Sequence, residues 1–171
     1  MEDNVDRRLD QWRVERPDID TTAMGVVARI QRANRLLERE LRANFAKHDL
    51  QLWEFDILGT LRRNGPPFQL TAGQLVESAM VTSGAITNRI DRLVARGLVT
   101  REVDPDNRRS VLITLSDKGR ELIDPVVESH ANLETQLLGK LSDRDQEQLA
   151  GLLRRLLLDL GDGSSGNPLV P

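Results

Sequence analysis

Cysteine is absent from all 171 residues, which removes disulfides, thiolate zinc sites and a cysteine nucleophile together. Histidine is scarce, with His48 and His130 the only two. Two isolated imidazoles without cysteine make a poor metal site, and a Ser-His-Asp arrangement built from them would be arbitrary. Packing is expected for both, with no metal and no cofactor. The chain has no Gly-rich strand-turn-helix of the kind that cradles a nucleotide, and its length suits one domain better than a catalytic domain beside another module. An enzyme is therefore not expected. No apolar run approaches the ~20 residues needed to cross a bilayer, and the first residues, Met1-Glu2-Asp3-Asn4, are acidic and polar. A soluble, cytoplasmic protein is the expectation. Overall positive charge is also missing: a net charge of -3 and a pI near 5.5 argue against a protein that coats nucleic acid indiscriminately, because such binding rests on bulk phosphate neutralisation.

The positive charge that is present is concentrated. Between Val81 and Arg109 stand Arg89, Arg92, Arg96, Arg101, Arg108 and Arg109 against Asp91, Glu102, Asp104 and Asp106, a local +2 that leaves -5 for the remainder. This pattern fits a localised DNA face on an acidic body.

Periodicity divides the chain into short and long helices. Val5, Leu9 and Trp12 recur at helical spacing over residues 5–14, until Pro17-Asp18 ends the pattern. From Thr22 a longer helix carries Val26, Val27, Ile30, Ala33, Leu37, Leu41 and Phe45 on one stripe, with an interruption near Asp49. Residues 52–61 form another, with Trp53, Ile57 and Leu61 on one face, stopped by Asn64-Gly65-Pro66-Pro67. Thr71 and Gln74 have capping-box form and open a short helix to about Ser78. After a turn near Met80, Thr82 or Ser83 can cap a helix whose apolar side holds Ile86, Ile90, Leu93 and Val94. Gly97 closes it.

The outer face of that helix presents Gly84 and Asn88, with Ala85 and Arg92 close by and Thr87 and Arg89 on the flanks. Small and hydrogen-bonding side chains of this kind suit close approach to base edges: asparagine can pair with adenine, arginine with guanine. An ordinary polar surface would look the same in isolation. The following residues decide between the two, because 98–101 and 110–115 have the β-branched content of two strands around an Asp-Pro-Asp-Asn turn, with Arg108 and Arg109 at the tip. Residues 71–119 thus read as a winged helix-turn-helix, in which one helix enters the major groove and an arginine-bearing hairpin reaches the backbone or minor groove. Ser116 can then cap a helix over 117–138, which Pro125 should kink or break. A last helix, 142–160, carries Leu149, Leu152, Leu153, Leu156, Leu157 and Leu160. That surplus of leucine, with the long stripe after Thr22, suggests terminal helices that bury one another across a two-fold axis. Residues 161–171 have the composition of a disordered tail.

The run Val81-Thr82-Ser83-Gly84-Ala85-Ile86-Thr87-Asn88-Arg89-Ile90-Asp91-Arg92-Leu93, then Arg96-Gly97-Leu98-Val99, Asp-Pro-x-x-Arg-Arg and Leu115-Ser116-x-x-Gly119, resembles the MarR family of multiple-antibiotic-resistance-type regulators over roughly residues 24–158. The resemblance implies homodimeric bacterial regulators that leave a palindromic operator when a small phenolic or other anionic compound binds. The family commonly has aspartate where this chain has Asn107, so the salt bridge that would position Arg109 is replaced at most by a hydrogen bond. The amino-terminal arm is similar to that of the family's urate-responsive branch, and this likeness implies a ligand site of Trp12, Asp56, Arg89 and Arg101. In such a site a planar anion could stack on Trp12 and pair with Arg89, while Asp56 would pair with Arg101 or be pushed away. Packing of Trp12 onto the body and an Asp56–Arg89 ion pair would account for the same residues without a ligand.

Four expectations follow. The fold is mainly α with a small β-hairpin wing: an arm over 1–20, dimerisation helices in 21–50 and 116–160, a winged helix-turn-helix over 51–115, and the tail. The function is that of a homodimeric, ligand-relieved repressor of a palindromic double-stranded operator. DNA contacts fall to Thr82, Ser83, Gly84, Thr87, Asn88 and Arg92 on the helix and to Arg108 and Arg109 on the wing. The alternative is a winged-helix module for protein interaction or enzyme dimerisation that binds no DNA.

Overall fold

The computed structural model describes residues 2–78 and 83–162, with backbone alone for 78 and 83–85. The turn near Met80, Thr82 and most of the tail lie outside the described residues. Among the described residues, seven helices and three strands follow in the order α1 Asn4–Glu15, α2 Thr22–Ala46, α3 Leu52–Arg63, β1 Gln69–Thr71, α4 Ala72–Ser78, α5 Ser83–Ala95, β2 Val99–Val103, β3 Val111–Leu115, α6 Asp117–Leu138 and α7 Asp143–Asp159. Their contacts group into two compact units, Met1–His130 and Ala131–Pro171.

In the first unit the helix boundaries follow local chemistry. Asp3 caps α1 by accepting the N–H groups of Val5 and Asp6, and Asp6 returns a bond to the Asp3 N–H. Val5 and Leu9 are buried, and Arg29 of α2 pairs with both Asp3 and Asp6. Trp12 does not follow them inward: it is 47% exposed. Asp49, at φ 54°, makes the break after α2. Thr71 and Gln74 exchange the reciprocal bonds of a capping box at the start of α4.

The core gathers Phe45, Ile57, Leu58, Leu61, Leu75, Leu93, Ile113 and Ile123, all inaccessible to solvent. Each such side chain contributes about 2 kcal/mol of burial. Of the stripe foreseen on α2, only Phe45 is buried, while Val26, Val27 and Leu37 are exposed within the chain. Val94, placed on the apolar side of α5, is also exposed, because that side narrows to Ile86, Ile90 and Leu93. Pro125 does not break α6.

The wing is larger than two strands. β3 is central in an antiparallel sheet of order β1-β3-β2, with Leu70 opposite Ile113 on one side and Arg101 opposite Ile113 on the other. A three-residue strand carries too little periodicity to be read from sequence. Its bonds to β3 nonetheless fix the wing to the start of α4.

The second unit contains α7, capped by Ser142, whose hydroxyl accepts the Asp145 N–H. None of its residues is buried, and Leu149, Leu152, Leu156, Leu157 and Leu160 are exposed. No helix among the described residues is long and apolar enough to cross a membrane.

Candidate nucleic-acid interface

α5 is held by its apolar side and by both sides of its C-terminus. Ile86, Ile90 and Leu93 enter the core, so Thr87, Asn88, Asp91 and Arg92 are left exposed. At the end, the Leu98 N–H bonds the Leu93 carbonyl and the Gly97 N–H that of Val94, the pair of a Schellman motif, with Gly97 at φ 70°. Two of the last carbonyls are taken by the neighbouring helix: Ser116 Oγ donates to Gly97 O and Lys118 Nζ to Arg96 O, each at 2.8 Å. Gly119 makes this approach possible, since a Cβ there would sit 2.1 Å from the Leu98 carbonyl oxygen.

Arg96 supplies the other anchor. It donates to Glu54 Oε1 at 2.8 Å and to the Asp49 carbonyl and carboxylate at 2.9 and 3.0 Å. The Glu54 side chain is only 5% exposed, and its second oxygen accepts the Gln51 N–H. The C-terminus of α5 is thereby tied to the N-terminus of α3. In the sequence Arg96 counts only as part of the local basic face, because its partners lie 42 and 47 positions away. The one local signal was the spacing Gln51 to Glu54, which suits a helix start.

The wing tip is ordered by its own polar side chains. Asp104 Oδ1 accepts the Asp106 N–H, the Ser110 N–H reaches the Asn107 carbonyl, and the Asp104 N–H returns to Ser110 O. Asn107 bonds Ser110 Oγ through its amide nitrogen, and its Oδ1 accepts the Arg109 N–H at 3.2 Å. Asparagine therefore fixes the backbone of Arg109, while the guanidinium groups of Arg108 and Arg109 stand exposed. Arg101 on β2 pairs with Asp91 on α5 at 2.8 Å, linking wing and helix.

Thr87, Asn88, Arg92, Arg108 and Arg109 are thus solvent-facing on two joined elements. Thr82 lies outside the described residues, and for Ser83 and Gly84 only the helical backbone is described. The four ligand candidates are placed less uniformly. Trp12 lines an open recess bounded by α1 residues, among them Arg7, Arg8, Gln11 and Glu15. Asp56 is half-buried on α3, where its carbonyl accepts the Thr60 hydroxyl. Arg89 is half-buried with its guanidinium 5.6 Å from the centre of the Trp53 ring, and Arg101 is engaged by Asp91. His130 packs against Phe55 and Phe45, at 4.7 and 5.4 Å between ring centres.

Comparison with known proteins points the same way as the geometry. A sequence model of the MarR family matches residues 48–110. The HTH-type transcriptional regulator PecS of Dickeya dadantii (strain 3937) is 40% identical over 148 residues, covering 86% of this chain and 89% of PecS. A mutant MarR from Escherichia coli, solved in complex with operator DNA, superposes with a TM-score of 0.72 at 25% identity, over 80% of this chain and 96% of that one. BpsR of Bordetella bronchiseptica, whose DNA binding is regulated by 6-hydroxynicotinic acid, superposes with a TM-score of 0.69 at 25% identity, over 77% and 91%.

Proposed function

Because the chain belongs to the MarR family, we propose that it is a homodimeric transcriptional regulator, a cytoplasmic repressor of a palindromic operator that a small anionic aromatic ligand releases. Its relatives are transcriptional regulators, which supports a role in DNA binding rather than catalysis. The observation that carries the reading is the pairing of one polar helix face, Thr87, Asn88 and Arg92, with a wing whose Arg108 and Arg109 stand free of the fold. In this reading α5 lies in the major groove with its N-terminal residues Ser83 and Gly84 leading, Thr82, which precedes them in the sequence, is assigned to the same contact, and Thr87 and Asn88 meet base edges. Arg92, Arg108 and Arg109 neutralise phosphate or enter the minor groove.

The two-fold axis is assigned to the amino- and carboxy-terminal helices, 21–50 and 116–160, with 51–115 as the reading region and 1–20 as an arm. The exposed valines of α2 and leucines of α7 support that assignment. Two reading heads then sit about one DNA turn apart. For the effector, the likeness to the urate-responsive branch assigns Trp12, Asp56, Arg89 and Arg101. Arg89 and Arg101 both bear on α5, so an anion that recruits them acts on the element that reads DNA.

The test is a gel shift with DNA from the chain's own upstream region. Specific binding should fall steeply with salt. Arg108→Glu should weaken binding to all sequences about ten-fold, and Asn88→Ala should relax preference at one position of each half-site, a discrimination worth about 1–3 kcal/mol. Unchanged operator affinity in both variants would refute these roles. A protein-interaction module would bind no palindrome better than scrambled DNA.

A further inference from the structure

Asp91 is a carboxylate on the helix that the proposed function places in the major groove. It stands on the same exposed side as Asn88 and Thr87, three and four positions earlier, and a negative charge there repels phosphate whatever the base sequence. Its partner is on the wing: Asp91 Oδ1 accepts from the Arg101 guanidinium at 2.8 Å. Among the described residues no other hydrogen bond or ion pair joins α5 to β2 or β3.

The place of Arg101 on the wing gives that contact leverage. Val99 is buried at the root of β2, and Arg101, two residues on, lies on the same side of the strand. Opposite Arg101 on β3 is Ile113, which is inaccessible to solvent. Beyond this point the hairpin leaves the core: β1 ends opposite Leu112, and Val103, paired with Val111, is 61% exposed. The outer ribbon that carries Arg108 and Arg109 therefore has two strands, an arrangement of marginal stability by itself.

We propose that the Asp91–Arg101 pair is a strut that sets the distance and angle between α5 and the wing tip, which makes both residues positioning residues for operator recognition. The inference rests on the DNA-reading proposal and deepens it. Specific binding needs base contacts from α5 and backbone contacts from the wing in one register, whereas non-specific binding needs only positive charge. A wing free to pivot keeps the second and loses the first. The two roles open to Asp91 differ in sign. As a bare charge it opposes DNA, and its removal tightens binding to every duplex. As half of a strut, its removal weakens operator binding while binding to scrambled DNA holds or tightens.

Anisotropy titrations of the full-length protein with a labelled duplex from its upstream region and with a scrambled duplex, at one salt concentration, test the strut through the ratio of the two affinities. Asp91→Asn and Arg101→Gln should each lower that ratio about ten-fold, and the double variant should fall no further than either, because all three lose the same contact. Arg101→Lys, which keeps a cation opposite Asp91, should retain most of the ratio. Urea denaturation of the single variants should stay close to wild type, since both side chains of the pair are well exposed and such pairs contribute little to folding. A ratio unchanged or raised in Asp91→Asn, additive losses in the double variant, or a lowered ratio that follows a matching loss of folding stability would overturn the strut. Wild type that binds the upstream duplex no tighter than the scrambled one would remove the DNA-reading proposal and the strut with it, whereas discrimination that Asp91→Asn preserves removes the strut alone.

Discussion

Glu54 and Arg96 form the most consequential single contact outside the core. A carboxylate only 5% exposed has lost most of its hydration, and the guanidinium at 2.8 Å is what compensates it. Removing the cation alone leaves that charge buried and unpaired. Arg96→Ala is therefore expected to destabilise the chain by about 3 kcal/mol, measured by urea denaturation. Asp49→Ala is expected to cost under about 1 kcal/mol, since the Asp49 carboxylate is 97% exposed and a solvated pair contributes little. Equal losses in the two variants would contradict this division. At the same scale, Asn107, where the family resemblance implies an aspartate, accepts the Arg109 N–H through its Oδ1. The residue could be flagged in the sequence as a departure from the family pattern, but its substitute contact depends on turn geometry that sequence does not carry.

Among the elements, those whose ends have local signals were legible and those defined by distant partners were not. The α4 capping box and the Gly97 stop of α5 involve residues within five positions of one another, so their chemistry can be read along the chain. β1 is only three residues long and exists because Gln69, Leu70 and Thr71 find partners on β3. α1 illustrates both cases. Its helical stripe was plain, but the Asp3–Asp6–Arg29 cluster that ties it to α2 spans 26 positions. Burial disfavours the Asp3 charge, yet the N–H groups of Asp6 and Val5 and the Arg29 guanidinium outweigh it and hold the carboxyl below its ordinary value. A carboxylate with a lowered folded value contributes stability that is complete above its unfolded value, about 3.9, and disappears as pH falls through the folded one. α1 should accordingly loosen from α2 in acid. Amide exchange around Val5 and Leu9, corrected for intrinsic rates, should rise below about pH 4, and Asp3→Asn should blunt that rise. An identical acid profile in the variant would show that Asp3 is not the group responsible.

For the whole molecule, the surfaces left open by one chain are as informative as its core. Val26 and Val27 are exposed on α2, and, in the other unit, Leu149, Leu152, Leu153, Leu156 and Leu157 on α7 and Leu160 at its end are exposed as well, more apolar surface than one soluble helix normally carries. The sequence showed this as leucine beyond the need of a single amphipathic helix, although the depth of the single-chain core could only come from the structure. A second copy is the occupant that the proposed function requires. Leu152→Glu combined with Leu156→Glu should give a monomer in sedimentation equilibrium. Its operator affinity should fall about a hundred-fold, because the second reading head is no longer delivered at high effective concentration. A monomer that keeps wild-type operator affinity would contradict the two-headed geometry.

In the proposed function α5 and the wing read DNA as a pair. Fluorescence anisotropy of a labelled duplex from the chain's upstream region, titrated with wild type and with Arg108→Glu at two salt concentrations, measures it directly. Saturation is expected at two protomers per duplex, with a steep loss of affinity with salt and a salt slope shallower in the variant by about one counterion. Binding no tighter than to a scrambled duplex, or a salt slope that Arg108→Glu leaves untouched, would contradict it.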